Sequence, residues 1–220
     1  MVVITGASDG LGLELAKRYR KEGSIHVVNV SRRECPYANI NLLHDLQRGE
    51  EVIAAAGEIL ALDHPLEVLV NCAGVLTIEP LGEISEAEIQ RTMAINITAP
   101  ILLTSQLFER IKTDGTDIVN VSSAMAAKPR TDHTVYLASK WALRGFSTNL
   151  QAELKNYHSR VISFCPGGFQ TRIYAKVTGE DSSADKGALM SAADVAKCLQ
   201  QLLDLPKNME ASEIILNRKK

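Results

Sequence analysis

Tyr136 and Lys140 are the two residues of this chain whose types and spacing are best suited to chemistry. They lie four positions apart in the run YLASK, which has a helical pattern, so both side chains project from one face of a helix. A free tyrosine has a pKa of about 10, and a nearby lysine cation favours the phenolate and lowers that pKa. The pair is therefore suited to move a proton to or from a carbonyl or alcohol oxygen near neutral pH.

Two further polar residues fit the same chemistry. Ser123 lies thirteen positions before Tyr136, and its hydroxyl is suited to donate a hydrogen bond to the reacting oxygen and to stabilise charge that develops there. Its neighbour Ser122 is the competing candidate. Asn96 lies in the middle of a predicted helix, where a buried amide needs hydrogen-bond partners.

A glycine-rich run, TGASDGLG at residues 5–12, connects the first predicted strand to the first predicted helix. Glycines let the backbone approach a phosphate group, and the start of a helix offers unpaired N–H donors. The glycine spacing differs from the common G-x-G-x-x-G motif. The run predicts a pyrophosphate site, with binding residues Gly6, Ser8, Asp9, Gly10, Leu11 and Gly12.

The end of the second predicted strand decides which dinucleotide such a site prefers. A carboxylate there would bond the ribose 2′-hydroxyl of NAD and repel the 2′-phosphate of NADP. The chain instead has Ser31, Arg32 and Arg33, and an arginine fork is suited to phosphate. We therefore expect NADP(H) to be preferred, with NAD(H) as the other candidate. The alternative for the two arginines is a solvated turn.

Together and in this order, these motifs resemble the short-chain dehydrogenase/reductase family, in its short, non-extended branch. Members of this family transfer a hydride between a nicotinamide cofactor and a carbonyl or alcohol. The resemblance covers nearly the whole chain and implies a catalytic set of Asn96, Ser123, Tyr136 and Lys140. In that set Ser123 orients the carbonyl, Lys140 also binds the nicotinamide ribose, and Asn96 holds a water that connects the lysine to solvent. The alternative for Asn96 is a core amide bonded to its own helix.

The resemblance also implies contacts to the adenine and the ribose. Asp45 and Leu46 match the family's acidic contact to the adenine amino group, and a helix-capping role for Asp45 is an equally good interpretation. The run NCAG at residues 71–74 resembles the family's N-N-A-G, with Cys72 as the departure. The resemblance adds Asn71, Ala73 and Gly74 to the predicted cofactor site.

The run PGGFQT at residues 166–171 resembles the segment that binds the nicotinamide carboxamide. It implies cofactor contacts from Pro166, Gly167, Phe169 and Thr171. Phe169 stands where the family commonly has valine or isoleucine, and it either narrows the floor of the site or turns aside to pack under the lid. That lid is predicted over residues 171–191, which lack apolar periodicity, and a plain surface loop is the alternative.

Short apolar runs alternate with amphipathic stretches along the whole chain, a pattern typical of a parallel sheet crossed by helices. This predicts an α/β fold: a Rossmann-like, doubly wound parallel sheet of about seven strands in three layers, as a single NAD(P)-binding domain over residues 1–220. The predicted strands are Val2–Ile4, Ile25–Val30, Ala38–Leu42, Leu66–Val70, Asp117–Val121, Val161–Phe164 and Glu213–Leu216. The predicted helices are Leu11–Lys21, Glu51–Leu60, Glu86–Ile111, Tyr136–Tyr157 and Ala193–Leu203. Between the second and third strands only residues 32–37 remain, where the family usually has a helix.

Composition narrows the possible partners. The chain of 220 residues has 24 Lys and Arg against 26 Asp and Glu, which gives no electrostatic reason to expect nucleic acid or an anionic membrane. Neither the four cysteines nor the five histidines have metal-ligand spacing, so we expect reduced thiols and no metal site. The first predicted strand begins at Val2 and leaves no room for a signal peptide, so a cytoplasmic protein is expected.

These observations predict an NADPH-dependent oxidoreductase that reversibly reduces a ketone or aldehyde, a small-molecule substrate, with Tyr136 as the general acid and base. The alternative is a catalytically silent NAD(P)-binding sensor or scaffold on the same fold. The long predicted helices that begin at Glu86 and Tyr136 are the surfaces through which the family forms oligomers, so a homotetramer or homodimer is expected. Trp141 is expected in the core or at a subunit contact, and His133 in a surface loop in preference to the substrate site.

Overall fold

The sheet contains seven parallel strands in the order β3-β2-β1-β4-β5-β6-β7. The computed structural model describes residues 1–23, 25–127, 130–179 and 189–219. The predicted doubly wound parallel sheet is confirmed. Its strands are β1 (Val2–Thr5), β2 (Val27–Ser31), β3 (Ile40–Leu43), β4 (Val68–Asn71), β5 (Asp117–Val121), β6 (Val161–Pro166) and β7 (Glu213–Leu216).

Helices cover both faces of the sheet. They are α1 (Gly10–Glu22), α2 (Gly49–Leu60), α3 (Glu86–Met93), α4 (Ala99–Gln106), α5 (Phe108–Asp114), α6 (Thr134–Leu154), α7 (Arg172–Thr178) and α8 (Ala192–Leu203). Alternate residues of β1 point to opposite faces: Val3 packs with α2, α4 and α6, whereas Val2 and Ile4 pack with α1 and α8. Because both faces are covered, the central strands are apolar at nearly every position. No described helix is both long enough and apolar enough to cross a membrane.

The predicted helix Glu86–Ile111 is interrupted, and this part of the prediction is wrong. A π-helical turn at Ala94–Thr98 separates α3 from α4, and a second break at Leu107 separates α4 from α5. Pro100 has no N–H to donate to the carbonyl four residues earlier, and Ala99 N–H donates to the carbonyl of Ala94. The wider turn contains Asn96, and π-turns of this kind are frequent at functional sites.

The crossover from β2 to β3 contains no helix, as the sequence predicts, and β3 begins two residues later than predicted. Side-chain hydrogen bonds hold this turn instead. Asn29 Nδ2 donates to Asn41 Oδ1 at 2.8 Å and to the Arg33 carbonyl at 2.9 Å, and Cys35 N–H donates to Asn41 Oδ1 at 2.8 Å. These bonds fix the backbone at Arg33 beside the end of β2.

The segment predicted to be an irregular lid contains a helix, so that description is wrong for part of it. The Thr171 hydroxyl caps α7 by accepting a hydrogen bond from Ile173 N–H, and Gly179 ends the helix with φ of 71°. Met190 pairs with Phe169 in a short parallel bridge. Residues 180–188 of the predicted lid lie outside the described residues. The predicted mobility of the segment stays a prediction.

Candidate active site

A cleft of about 850 Å³ lies at the carboxyl ends of the strands, beside the point between β1 and β4 where the strand order reverses. Ligands of open α/β sheets bind at such points. Most of the predicted site residues line this cleft. Three of them do not and lie behind its wall: Gly12, Asn71 and Asn96.

The glycine-rich loop approaches the neighbouring backbone so closely that side chains do not fit. Gly6 has φ of +72°, and a Cβ atom there would lie 2.9 Å from Ala73 Cα. A Cβ on Gly12 would lie 2.6 Å from the carbonyl oxygen of Gly6, which explains why Gly12 supports the loop from behind. Thr5 Oγ1 accepts hydrogen bonds from Cys72 and Ala73 N–H, both at 3.0 Å, so the loop and the turn after β4 form one wall.

Ser123, Tyr136 and Lys140 converge at the opposite end of the cleft. Tyr136 and Lys140 are both buried on α6, with the Lys140 Nζ atom 5.9 Å from the centroid of the tyrosine ring. The Ser123 hydroxyl lies near enough to the Tyr136 phenol to lower its pKa. The hydroxyl of Ser122 donates to the carbonyl of Lys140 at 2.9 Å. Ser123, of the two candidate serines, is therefore the one beside the phenol.

The pKa values of Tyr136 and Lys140 differ from the expectation that the lysine lowers the pKa of the tyrosine. Burial raises the pKa of Tyr136, and the nearby Ser123 hydroxyl lowers it by less than burial raises it. Burial also lowers the pKa of Lys140 to about 8. The lysine does not lower the tyrosine pKa in this structure, where Lys140 Nζ donates to the Val121 carbonyl at 2.9 Å. Tyr136 is consequently protonated near neutral pH. The pKa of Lys140 lies close enough to neutral pH for its ammonium to release and regain a proton.

Asn96 is completely buried and bonds to two other segments. Its Oδ1 accepts from Val75 N–H at 2.8 Å, and its Nδ2 donates to the Val75 carbonyl at 2.9 Å and to Ser139 Oγ at 3.0 Å. The alternative of an amide bonded to its own helix is therefore wrong. A Cβ on Gly74 would lie 3.4 Å from both Asn96 Oδ1 and Lys140 Nζ. Asn96 thus fixes the wall of the cleft beside the lysine, while its predicted role in a proton relay stays a prediction.

Asn71 belongs to a buried polar network behind the cleft. Its Nδ2 donates to Asn120 Oδ1 at 2.8 Å, and Asn120 Nδ2 donates to Ser147 Oγ at 3.0 Å. This chain of bonds connects β4, β5 and α6. Its neighbour Cys72 does line the cleft, and burial raises the pKa of that thiol to about 11, so Cys72 is a neutral and unreactive thiol at neutral pH.

The predicted adenine end of the cleft is lined by Ser31, Arg32, Arg33, Asp45 and Leu46. Arg32 is exposed, and the Ser31 hydroxyl donates to the Arg33 carbonyl at 2.6 Å. The N-cap of α2 is Arg48. Asp45 instead accepts a hydrogen bond from Gln47 N–H at 3.1 Å, so the interpretation of Asp45 as the helix cap is wrong.

The predicted nicotinamide segment follows β6 along the cleft. Pro166 ends the strand, and Gly167 N–H donates to the Leu216 carbonyl at 2.7 Å. Phe169 lines the cleft and also packs with Met190 against the core. Phe169 therefore lines the site, as the first interpretation predicts, and also pairs with Met190 of the predicted lid segment, as the second predicts.

Some residues of the cleft were expected there only as the less favoured interpretation, or not at all. His133 is buried, lines the cleft, and has Nδ1 2.8 Å from the Thr131 carbonyl, so its placement in a surface loop is wrong. Its position one helical turn before Tyr136 was the available signal. Arg172 and Lys176 also line the cleft, four positions apart on a helix that the sequence pattern did not indicate. In the part of the chain that the structure describes, no three His, Cys, Asp or Glu side chains are grouped to hold a metal ion.

Several proteins of known activity are similar to this chain. The L-xylulose reductase of Caenorhabditis elegans is 34% identical over 180 residues, which cover 75% of this chain and 70% of that enzyme. The 5-keto-D-gluconate 5-reductase of Escherichia coli K12 is 29% identical over 197 residues, or 83% of this chain and 76% of the enzyme.

Solved structures share the fold. A serine dehydrogenase in complex with NADP+ superposes with a TM-score of 0.88 at 22% identity, covering 98% of this chain and 93% of that one. A 4-hydroxyisoleucine dehydrogenase in complex with NADH superposes with a TM-score of 0.86 at 21% identity, covering 98% and 96%. The family model for short chain dehydrogenases matches residues 1–182. With that match and the reductases similar to it in sequence, the chain belongs to the short-chain dehydrogenase/reductase family of oxidoreductases.

Proposed function

We propose that this protein uses NADP(H) to reduce a ketone or aldehyde to an alcohol, reversibly. One observation carries the proposal: a single cleft is lined both by the glycine-rich loop with Arg32 and Arg33 and by Ser123, Tyr136 and Lys140. A pure dinucleotide binder has no need of the second group. The names of the similar L-xylulose and 5-keto-D-gluconate reductases support the same type of reaction.

The residues present fit a nicotinamide dinucleotide. The loop after β1 has no side chain at Gly6 or Gly10, and α1 begins at Gly10 with its first N–H groups beside the cleft, an arrangement suited to a diphosphate. Arg32 and Arg33 would hold the 2′-phosphate, and Pro166, Gly167, Phe169 and Thr171 the nicotinamide end. When bound, the cofactor supplies the hydride.

The protein's own residues would then handle the oxygen of the substrate and its proton. The Ser123 hydroxyl donates a hydrogen bond to the carbonyl oxygen and stabilises the negative charge that grows there. Tyr136 holds its proton at neutral pH because burial raises its pKa, so it is ready to donate that proton to the same oxygen. Lys140, with a pKa of about 8, restores the proton to the tyrosine, and Asn96 positions the wall segment and Ser139 beside it.

The direct test is the consumption of NADPH, followed by its absorbance, with a panel of ketones, aldehydes and hydroxylated ketones. We expect turnover with at least one class. If the protein binds NADPH tightly but oxidises it with none of the panel, the reductase proposal is wrong and the sensor or scaffold alternative stands.

Arg32→Ala should remove the preference for NADPH. A charge-assisted bond to the 2′-phosphate contributes on the order of 1.5–3 kcal/mol, so we expect the Kd for NADPH to rise about tenfold or more while the Kd for NADH changes little. Fluorescence titration of both dinucleotides measures this. Arg20→Ala, an exposed arginine on α1 outside the cleft, is the matched control. A wild-type preference for NADH, or an unchanged ratio of the two constants in Arg32→Ala, would contradict the assignment.

Self-association remains a prediction that the surface supports. Trp141 on α6 is 55% exposed and its ring lies 4.7 Å from the Arg144 guanidinium, so its placement in the core is wrong. Ile101 on α4 is 40% exposed. We propose that these helices form a subunit contact in a homodimer or homotetramer, which sedimentation equilibrium would resolve.

A further inference from the structure

Two cations of α7 form ion pairs with the N-cap residue of α1. Arg172 Nε lies 3.1 Å from Asp9 Oδ1, and Lys176 Nζ lies 2.8 Å from Asp9 Oδ2. Residues 172 and 176 are four positions apart, so both side chains extend from one face of α7. The glycine-rich loop and α7, which are far apart in the sequence, are thus joined through one carboxylate at the cleft.

This cluster has more positive than negative charge. Arg33 Nη2 lies 3.5 Å from Asp9 Oδ2, so three cations surround a single carboxylate. Burial raises the pKa of Asp9, but the hydrogen bonds from Lys176 and Arg172 outweigh burial and lower the pKa below its usual value. Asp9 is therefore ionised at neutral pH, and among the described residues it is the only carboxylate that forms an ion pair with these three cations.

The excess charge lies where a diphosphate would bind. Asp9, Arg33, Arg172 and Lys176 all line the cleft, and Asp9 directly precedes Gly10, the first residue of α1. The N-terminus of a helix adds further positive potential at this point. The side chain of Asp9 is only 20% exposed, whereas those of Arg172 and Lys176 are 63% and 54% exposed, so the two cations have room to change partners.

We infer that Arg172 and Lys176 bind the diphosphate of the dinucleotide, and that Asp9 keeps them beside the glycine-rich loop in the dinucleotide-free protein. The inference depends on the proposed function, because it assumes that a dinucleotide occupies the cleft. The inference assigns a binding role to α7, which lies outside the motifs identified in the sequence. The diphosphate is common to NADH and NADPH, so these cations contribute equally to both, unlike Arg32.

A purely structural ion pair predicts a different result. Exposed ion pairs contribute little to stability, so a pair that only attached α7 to the loop would leave dinucleotide affinity almost unchanged. A diphosphate contact predicts weaker binding that depends on the phosphates of the ligand and on ionic strength.

The experiment is a fluorescence or calorimetric titration of wild type, Arg172→Ala and Lys176→Ala with NADPH, NADH, ADP and adenosine. We expect each substitution to raise the Kd about fivefold for the three phosphate-containing ligands, within the range of a partly screened charge contact. Adenosine should be unaffected, and the differences should shrink in high salt. Lys197→Ala on α8, an exposed lysine outside the cleft, removes the same charge as a control.

A second measurement tests the role of Asp9 without any ligand. Asp9→Asn keeps an oxygen that can accept the hydrogen bond from Gly10 N–H but removes the charge that attracts α7. Hydrogen exchange of the amides of residues 173–179 should become faster in this variant than in wild type, and NADPH should slow it in both. Unchanged exchange in Asp9→Asn would overturn the role of Asp9.

The outcomes separate the two proposals. If wild type binds neither NADH nor NADPH, the proposed function is wrong and this inference is wrong with it. If wild type binds both, and Arg172→Ala and Lys176→Ala bind them as Lys197→Ala does, only the role of α7 is wrong. A loss confined to NADPH would also overturn it, because the cations would then contact the 2′-phosphate.

Discussion

Tyr136→Phe should lower the rate of carbonyl reduction by about a thousandfold, within the range of 10²–10⁴ that a positioned acid contributes, and leave the Kd for NADPH within about twofold of wild type. The substitution removes only the phenolic oxygen, and the ring continues to fill its buried place on α6. Ser123 keeps its hydrogen bond with the backbone, accepting from Met125 N–H at 3.1 Å. The proton donor is lost while the cleft is preserved.

The measurement combines steady-state rates with a fluorescence titration of NADPH on the same preparation. Tyr157→Phe, on an exposed tyrosine beyond the end of α6, is the matched control and should have the wild-type rate. Because a loss of rate at constant cofactor affinity separates chemistry from binding, a fall in both would indicate damage to the cleft. More than about a tenth of the wild-type rate in Tyr136→Phe would show that another group supplies the proton.

The sequence alone predicts that the site residues meet in one place, because the strands of a parallel sheet share one direction. Strands that run in one direction all end at the same edge, so the loop after β1, Ser123 after β5 and Pro166 at the end of β6 had to meet there. The local spacing of Tyr136 and Lys140 placed both on one face of α6. These inferences need only the order of the strands and the helical repeat, both of which the apolar pattern specifies.

Three features depended on information that a periodic pattern does not contain. The π-turn around Asn96 follows from the missing N–H of Pro100, a local signal within an otherwise continuous helical pattern. Helix α7 spans only seven residues and none of them is buried, so its apolar residues form too short a pattern to predict it, and its caps at Thr171 and Gly179 are the clearer signal of a helix. The pKa of Tyr136 depends on the balance between burial, which raises it, and contacts with neighbouring groups, which lower it. That balance follows from the three-dimensional packing and not from the spacing of residues in the sequence.

The buried lysine indicates that the site is maintained at a cost in stability. Lys140 is 4% exposed, and its ammonium donates a hydrogen bond to the Val121 carbonyl. Burial lowers its pKa to about 8, and no carboxylate in the described part of the chain forms an ion pair with it. A buried charge without an opposite charge is unfavourable, so functional groups of this kind often reduce the stability of the fold.

Lys140→Met should therefore increase the stability of the dinucleotide-free protein at pH 7.5 while reducing the reductase rate by at least about a hundredfold. The free lysine has a pKa of about 10.4 in the unfolded chain, well above its folded value of about 8. Below pH 8 both states are protonated, and the folded state bears the full cost of the buried charge. This difference between the unfolded and folded pKa values corresponds to roughly 3 kcal/mol of lost stability in the wild type. Loss of the hydrogen bond to the Val121 carbonyl offsets about 1 kcal/mol of the gain. We therefore expect the free energy of unfolding of Lys140→Met to rise by about 2 kcal/mol.

The pH dependence makes this prediction specific to the titration of Lys140. Between about pH 8 and pH 10.4 the folded wild type has released the proton that the unfolded chain still binds, so the wild type gains stability as pH rises and the advantage of Lys140→Met shrinks. Urea unfolding at pH 7.5 and pH 9.5 measures the change, with Lys155→Met, an exposed lysine at the end of α6, as the control. A variant less stable than wild type at pH 7.5 would contradict the prediction, as would an advantage that does not narrow at pH 9.5. Either result would mean that the ammonium is compensated inside the folded protein, and the proton exchange proposed for Lys140 near neutral pH would lose its physical basis.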